Sequence, residues 1–241
     1  MMKTSPRHGL ARVLSKCGLC SRTQAAQWIA DGRVEVDGRI VRDPEFGVVQ
    51  GRHRVTVDGN PLDQPQRRYL MLNKPRGLVT TASDERGRDT VYRCFDGAGL
   101  PWLAAVGRLD NAREGFLLFC NDPAWAARIT DPDVGLDKTY HVQIDTIPDE
   151  RTLAALVGGI IESGEALRAS SARLLRAGEK NAWVEIVLDE GRNRQIRRLL
   201  AALDIGVLRL VRVAIGALHL GELGKGQWRE LSAEELAALG R

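Results

Sequence analysis

No run of apolar residues in this sequence approaches the roughly 20 that cross a bilayer, so a membrane-spanning helix is not expected. The start, MMKTSPRHGLARVLSK, has cations but no apolar stretch behind them, which argues against a secretory signal. Cysteine is scarce: Cys17, Cys20, Cys94 and Cys120 are too few and too irregularly spaced for a disulfide framework. Neither a GxGxxG fingerprint nor a Walker loop occurs, so no nucleotide cofactor is indicated. These absences together lead us to expect a cytoplasmic protein.

What is present is ordinary in amount and uneven in placement. The 241 residues are 44% hydrophobic and 27% charged, enough for one large domain or for a small and a medium one. Residues 1–67 hold 11 Lys/Arg against 7 Asp/Glu, and the remainder holds 24 of each, so the whole net charge of +4 lies in the first quarter. Positive charge concentrated in this way favours polyanions, because neutralising phosphates releases counterions. A solvated basic surface without a partner fits the charge alone equally well.

The N-terminal quarter reads as helix, helix, hairpin. LARVLSKCG puts Leu10, Val13 and Leu14 on one face, leaves Arg12 and Lys16 on the other, and stops at Gly18. Ser21 opens SRTQ as a capping box with Gln24, for a helix running to about Gly32. VEVDGRIV and VTVDGNPL both turn at Asp-Gly, a strong hairpin signal. Arg12, Lys16, Arg22 and Arg33 then form a surface suited to phosphates. The stretch Leu10–Gly59 resembles the small RNA-binding domain first known from small-subunit ribosomal protein four. Cys17 and Cys20 form a lone CxxC, where tetrahedral zinc needs four ligands, so we read them as packing residues between the helices and expect no metal.

LDQPQRR, residues 62–68, is polar and aperiodic, which places a first domain at 1–63, a linker to about 68, and a second domain at 69–241. The second domain opens with a buried strand at Tyr69–Leu72 and a Lys74-Pro75-Arg76-Gly77 turn. The two cations of that turn either meet a phosphate or are merely solvated. KTYHVQID, AWVEIVLD and VLRLVRVAIG alternate like strands, while DERTLAALVGGI and NRQIRRLLAALDI have helical spacing. The second of these helices directs Ile196, Leu199, Leu200 and Leu203 inward. Lacking a regular βαβ rhythm, this is an α+β domain around a mixed, largely antiparallel sheet with a central cleft.

AVGRLDNAREGFLLFCND sets Asp110 at the mouth of an apolar strand. A carboxylate on rigid elements at a cleft can act as nucleophile or base. It needs a cation, and Arg108 or the cluster Arg194, Arg197 and Arg198 of EGRNRQIRR can supply one. LNKPRG, VGRLD, KTYHV, GRNRQIRR and LVRVAIGALHLGELGKGQWREL, in this order, resemble the RsuA-type family of ribosomal RNA pseudouridine synthases. The resemblance implies that Asp110 is the catalytic aspartate, that Tyr140 stacks on the target uracil, and that Arg197 pairs with Asp110. It places Lys138 at the cleft edge and requires no cofactor; Arg108, Arg194, Lys74 and Arg76 are our further candidates for binding the substrate, from their charge and position in the sequence. One position departs: the family usually has Thr or Ser three residues after the aspartate, where its hydroxyl would hold the local turn, and this chain has Arg113. We expect Arg113 to pair with Glu114 or to reach a phosphate.

The implied partner is ribosomal RNA, naked or in a pre-ribosomal particle, acted on by a monomer. GRNRQIRR leans towards members acting on large-subunit RNA. The alternatives are a synthase acting on transfer RNA, a non-catalytic RNA-binding or ribosome-assembly factor, and a glycoside hydrolase. The hydrolase would need a second facing carboxylate, and Glu114 has no evident claim to that place.

Overall fold

The computed structural model describes residues 7–49, 51–62 and 66–239, so the expected linker at 62–68 falls partly outside the described residues. Contacts divide the chain into two compact units. The first comprises Met1–Tyr69, Phe95–Ala105 and Phe119–Ala126; the second comprises Leu70–Cys94, Val106–Leu118 and Ala127–Arg241.

In the first unit, helices Leu10–Lys16 and Arg22–Ala30 form where their periodicity puts them. The Ser21 side chain accepts a hydrogen bond from the Gln24 amide at 3.0 Å, satisfying one of the helix's free N–H groups. Gly18 ends the first helix at φ +75°, and a Cβ there would lie 2.5 Å from the Asn121 carbonyl oxygen. Both Asp-Gly pairs turn with positive φ at each residue (52° and 75° at Asp37-Gly38, 49° and 79° at Asp58-Gly59), the tight hairpin geometry. The strands they join build a four-stranded sheet among the described residues. Leu10, Leu14, Ile29 and Val34 fill the core with Cys17 and Cys20, both buried as packing residues.

The segment 119–126 joins this unit through polar bonds that periodicity does not reveal. Asn121 Oδ1 accepts from the Arg68 amide at 2.7 Å, and its Nδ2 donates to the Gln66 carbonyl at 3.0 Å. Asp122, also buried, accepts from the Tyr69 hydroxyl at 2.8 Å and pairs with Arg67 at 2.9 Å.

The second unit is organised by a mixed sheet, nine-stranded among the described residues. Its main order is Ser171–Ala177, Ala182–Leu188, Lys138–Ile144, Val207–Ile215, Glu114–Cys120, Tyr69–Lys74, Trp228–Glu230. Strand Lys138–Ile144 runs antiparallel to both of its neighbours, and Val207–Ile215 pairs in parallel with Glu114–Cys120. The α+β expectation holds. Helix Gln195–Ala201 buries Ile196, Leu199 and Leu200 against Val142, Val184 and Ile186, while Leu203 lies past its end and packs partly buried.

Gly115 makes the parallel join possible. It stands at φ +99° opposite Arg212, and a Cβ there would lie 2.2 Å from the Arg212 carbonyl oxygen. Only glycine lets the two backbones approach this closely.

Candidate active site

Asp110 lies in the loop between strands Ala104–Val106 and Glu114–Cys120, with half of its carboxylate exposed. Two groups hold this loop from the strand Tyr69–Lys74 and the turn after it. Thr80 Oγ1 donates to the Leu109 carbonyl at 2.7 Å. Lys74 Nζ donates to the carbonyls of Asp110 at 3.2 Å, Arg113 at 2.9 Å and Pro75 at 3.1 Å. Lys74 is fully buried, so its ammonium serves the loop and is not presented to a phosphate. Arg76, two residues on, is exposed. The sequence carried no signal that separated these two cations of one turn.

Burial lowers Lys74 from the ordinary 10.5 to about 8, with Asp110, Cys94 and Glu114 opposing the shift. Above about pH 8 the folded chain has shed a proton that the unfolded chain keeps up to the ordinary lysine range. This group therefore makes stability rise with pH across that window. Its charge-assisted bonds to the Asp110 loop weaken over the same window. We expect turnover to show an alkaline limb centred near pH 8, and Lys74→Met to be slower at neutral pH and to lack that limb. A pH–rate profile of both proteins checks this; a limb that persists in the Met variant contradicts it.

Arg113, expected to meet Glu114 or a phosphate, pairs with Asp110 instead, its Nε 3.0 Å from Oδ2. That N–H is poorly aimed, because Arg113 Nε is buried without a hydrogen-bond partner among the described residues. Glu114 is taken elsewhere: Arg209 holds both of its oxygens at 3.0 Å and Lys225 adds a contact at 2.7 Å. Burial works against the charge of Glu114, and these partners outweigh it, leaving its carboxyl below the usual range. It is not free to serve as a second catalytic carboxylate.

Asp110 opens onto a cavity of about 520 Å³ together with Thr80, Arg88, Asn111 and Arg194. A second cavity, of about 460 Å³, is lined by Tyr140, Lys138, Ile196 and Arg212. Arg108, Arg113, Gly191 and Arg192 line both, so the two adjoin as parts of one cleft, Asp110 lining the first and Tyr140 the second. Both volumes are those of small-molecule sites, about 300–1,000 Å³. Tyr140 belongs to the buried core cluster, 6% exposed, while also lining the cleft. Lys138 is half-buried, and burial and then the nearby Arg212 lower its pKa.

Arg197, on helix Gln195–Ala201, donates weakly to the Val207 carbonyl at 3.4 Å. Burial and then Arg194, Arg113 and Arg76 lower its pKa, with Asp110 acting in the opposite sense. It is thus part of a cation cluster near Asp110, while the ion pair itself is made by Arg113. The buried Gln195 fixes the start of this helix: its Nε2 donates to Glu190 at 2.7 Å and to the Arg168 carbonyl at 3.0 Å. Thr80, Gln195 and Arg212 went unnoticed in the sequence: Thr80 and Arg212 act through partners far away along the chain, and Gln195 joins the nearby Glu190 to the distant Arg168.

Of the N-terminal cations, Arg12, Lys16, Arg22 and Arg33 are all exposed. Arg22 pairs with Glu45 at 3.0 Å, and Arg33 pairs with Asp58 and lies over the Trp28 ring. No ion pair engages Arg12 or Lys16 among the described residues.

Comparisons with known proteins identify the family. Residues 68–202 match the model of the RNA pseudouridylate synthase family, and residues 9–53 match that of the S4 domain. An uncharacterised RNA pseudouridine synthase of Aquifex aeolicus is 37% identical over 95% of this chain and 92% of its own length. The ribosomal large subunit pseudouridine synthase B of Bacillus subtilis is 34% identical over 95% of this chain and 94% of its own. A crystal structure of a pseudouridylate synthase superposes with a TM-score of 0.66 at 32% identity, covering 98% of this chain and all of that one. No helix is long and apolar enough to cross a membrane among the described residues.

Proposed function

Because the chain belongs to the RNA pseudouridylate synthase family, with an S4 domain at its N-terminus, we propose that it isomerises a uridine of ribosomal RNA and that Asp110 is the catalytic carboxylate. The observation that carries this reading is the shared wall of two adjoining cavities: Asp110 lines one, Tyr140 lines the other, and Arg108, Arg113 and Arg192 line both. A paired uridine must leave its stack before its glycosidic bond can be reached, and a π-face that receives the base offsets the cost. Tyr140 offers that face. Asp110 then acts at the sugar while the base turns and rejoins through C5. Arg197, Arg194, Arg76 and Arg108 hold the phosphates around the flipped nucleotide, and Lys138 sits beside the base.

We assign residues 1–63 to the RNA-binding domain and 69–241 to catalysis. The name of the relative from Bacillus subtilis supports large-subunit RNA as the substrate. We further propose that this RNA is met naked or in a pre-ribosomal particle, and that the enzyme acts in the cytoplasm as a monomer. Mapping pseudouridines in ribosomal RNA from cells with and without the gene tests the assignment. It predicts at least one large-subunit position that loses its modification.

The exposed N-terminal cations should differ in value. Replacing Arg12 and Lys16 together with Gln should flatten the log–log salt dependence of RNA binding by up to about 1.4, at ~0.7 per phosphate contact for single strands. Replacing Arg22 and Arg33 should change the slope less, since Glu45 and Asp58 already neutralise them. Filter binding at several salt concentrations measures both; equal slopes for both pairs would show that the free cations are not the contacting ones.

A further inference from the structure

The cavity that Tyr140 lines contains a buried cation that no carboxylate pairs with among the described residues: the two acids on the same wall, Asp189 and Glu190, pair with Arg168 and Arg192 instead. Arg212 lies directly across the strand ladder from Tyr140 and is 7% exposed. Its Nε donates to the Phe116 carbonyl at 2.8 Å, and its Nη2 is buried without a hydrogen-bond partner among the described residues. The titratable groups that act on it are Tyr140, which also hydrogen-bonds its side chain, and Arg113, of its own sign, and Lys138 on the same cavity wall is a further cation. Burying a guanidinium without a counter-ion is costly, and an apolar side chain of similar volume would fill the place as well or better. The bonds of Arg212 to the Phe116 carbonyl and to Tyr140 offset that cost only in part, since neither partner carries a charge. A cavity wall that has to meet a negative charge gives the residue a further reason.

The reaction makes such a charge. When the C1′–N1 bond breaks, its electron pair stays on the uracil, which becomes a monoanion spread over N1, O2 and O4, while the electron-poor sugar is met by Asp110. When C5 joins C1′ the base returns an electron pair, C5 loses its proton and N1 gains one, so no oxidant or reductant is needed. We infer that Arg212 stabilises the negative charge that develops on the uracil as the glycosidic bond breaks, an inference that rests on the pseudouridine synthase reading above. A fixed positive charge in a water-poor site needs no reorganisation as the charge develops, which is where such stabilisation is strongest. Arg212 donates no proton in this role; its field is what it contributes.

The test compares the full-length protein with Arg212→Met and Arg212→Lys on two RNAs, one with uridine and one with 5-fluorouridine at the target. Fluorine makes the departing base a better-stabilised anion, so less help is needed. Consumption of the parent nucleoside is followed in single turnover, because a fluorinated C5 has no proton to lose. Arg212→Met should slow uridine consumption by about 10²-fold with RNA affinity nearly unchanged, and the defect should shrink by about tenfold on the fluorinated RNA. Arg212→Lys keeps the charge, so it should lose less and show the same attenuation; it carries the test if the Met variant does not fold. Equal defects on both RNAs, or a loss explained by weaker binding, would overturn the role of Arg212. A parent protein that consumes neither nucleoside would instead strike at the synthase reading.

Discussion

Asp110→Asn is expected to slow pseudouridine formation by about 10³-fold or more while leaving RNA affinity almost unchanged, because only the carboxylate is a competent nucleophile or base. The substitution is nearly isosteric, and the loop that carries it is held through backbone carbonyls. Lys74 bonds the Asp110 carbonyl and Thr80 bonds that of Leu109, and neither contact involves the carboxylate. The side-chain interaction lost is the pair with Arg113, on a half-exposed carboxylate, which contributes at most about 1 kcal/mol to stability. A thermal melt close to that of the parent should therefore accompany the loss of turnover. An Asn variant that still forms product at a tenth of the parent rate would remove Asp110 from the centre of the mechanism.

The second large effect is expected at Tyr140. Tyr140→Leu keeps apolar bulk in the core cluster but removes the π-face, and should cost about 1–3 kcal/mol of flipped-base stabilisation, up to roughly 100-fold in kcat/KM. Tyr140→Phe keeps the face and loses the hydroxyl, which lies beside Arg212, so it should hold RNA as the parent does even where turnover falls. Burial complicates the Leu variant, since core truncations or reshaping also cost stability. The Phe variant separates the two contributions. A Phe protein that binds normally and turns over slowly gives the hydroxyl a part in proton transfer from C5. Equal turnover by all three proteins would make Tyr140 a core residue only.

Local grammar was legible where neighbours in the chain decide the outcome. The helix at Arg22–Ala30, with Ser21 as its cap, the two Asp-Gly turns and the buried face of Gln195–Ala201 follow from spacing and backbone preference. What the sequence hid lies between residues far apart along the chain. Lys74 and Arg76 look alike in one turn, yet the first is buried under carbonyls from 36 and 39 positions away and the second is exposed. Arg113 looked like an unexplained departure from a hydroxyl position. In the fold Lys74 and Thr80 supply the turn's support, leaving Arg113 to face Asp110. Arg212 reads as one cation in an alternating strand; only its register opposite Tyr140 and its buried Nη2, without a hydrogen-bond partner among the described residues, single it out.

The central claim is that this cleft converts uridine to pseudouridine without outside reagents. Purified protein incubated with unmodified large-subunit RNA, transcribed in vitro and free of cofactors, tests it in one step. Nucleoside analysis and position-specific mapping should show uridine lost and pseudouridine gained in equal amounts at a small number of fixed positions, with the mass of the RNA unchanged. Tight binding to that RNA with no pseudouridine at any position, by a protein that also leaves small-subunit and transfer RNA unmodified, would contradict the account.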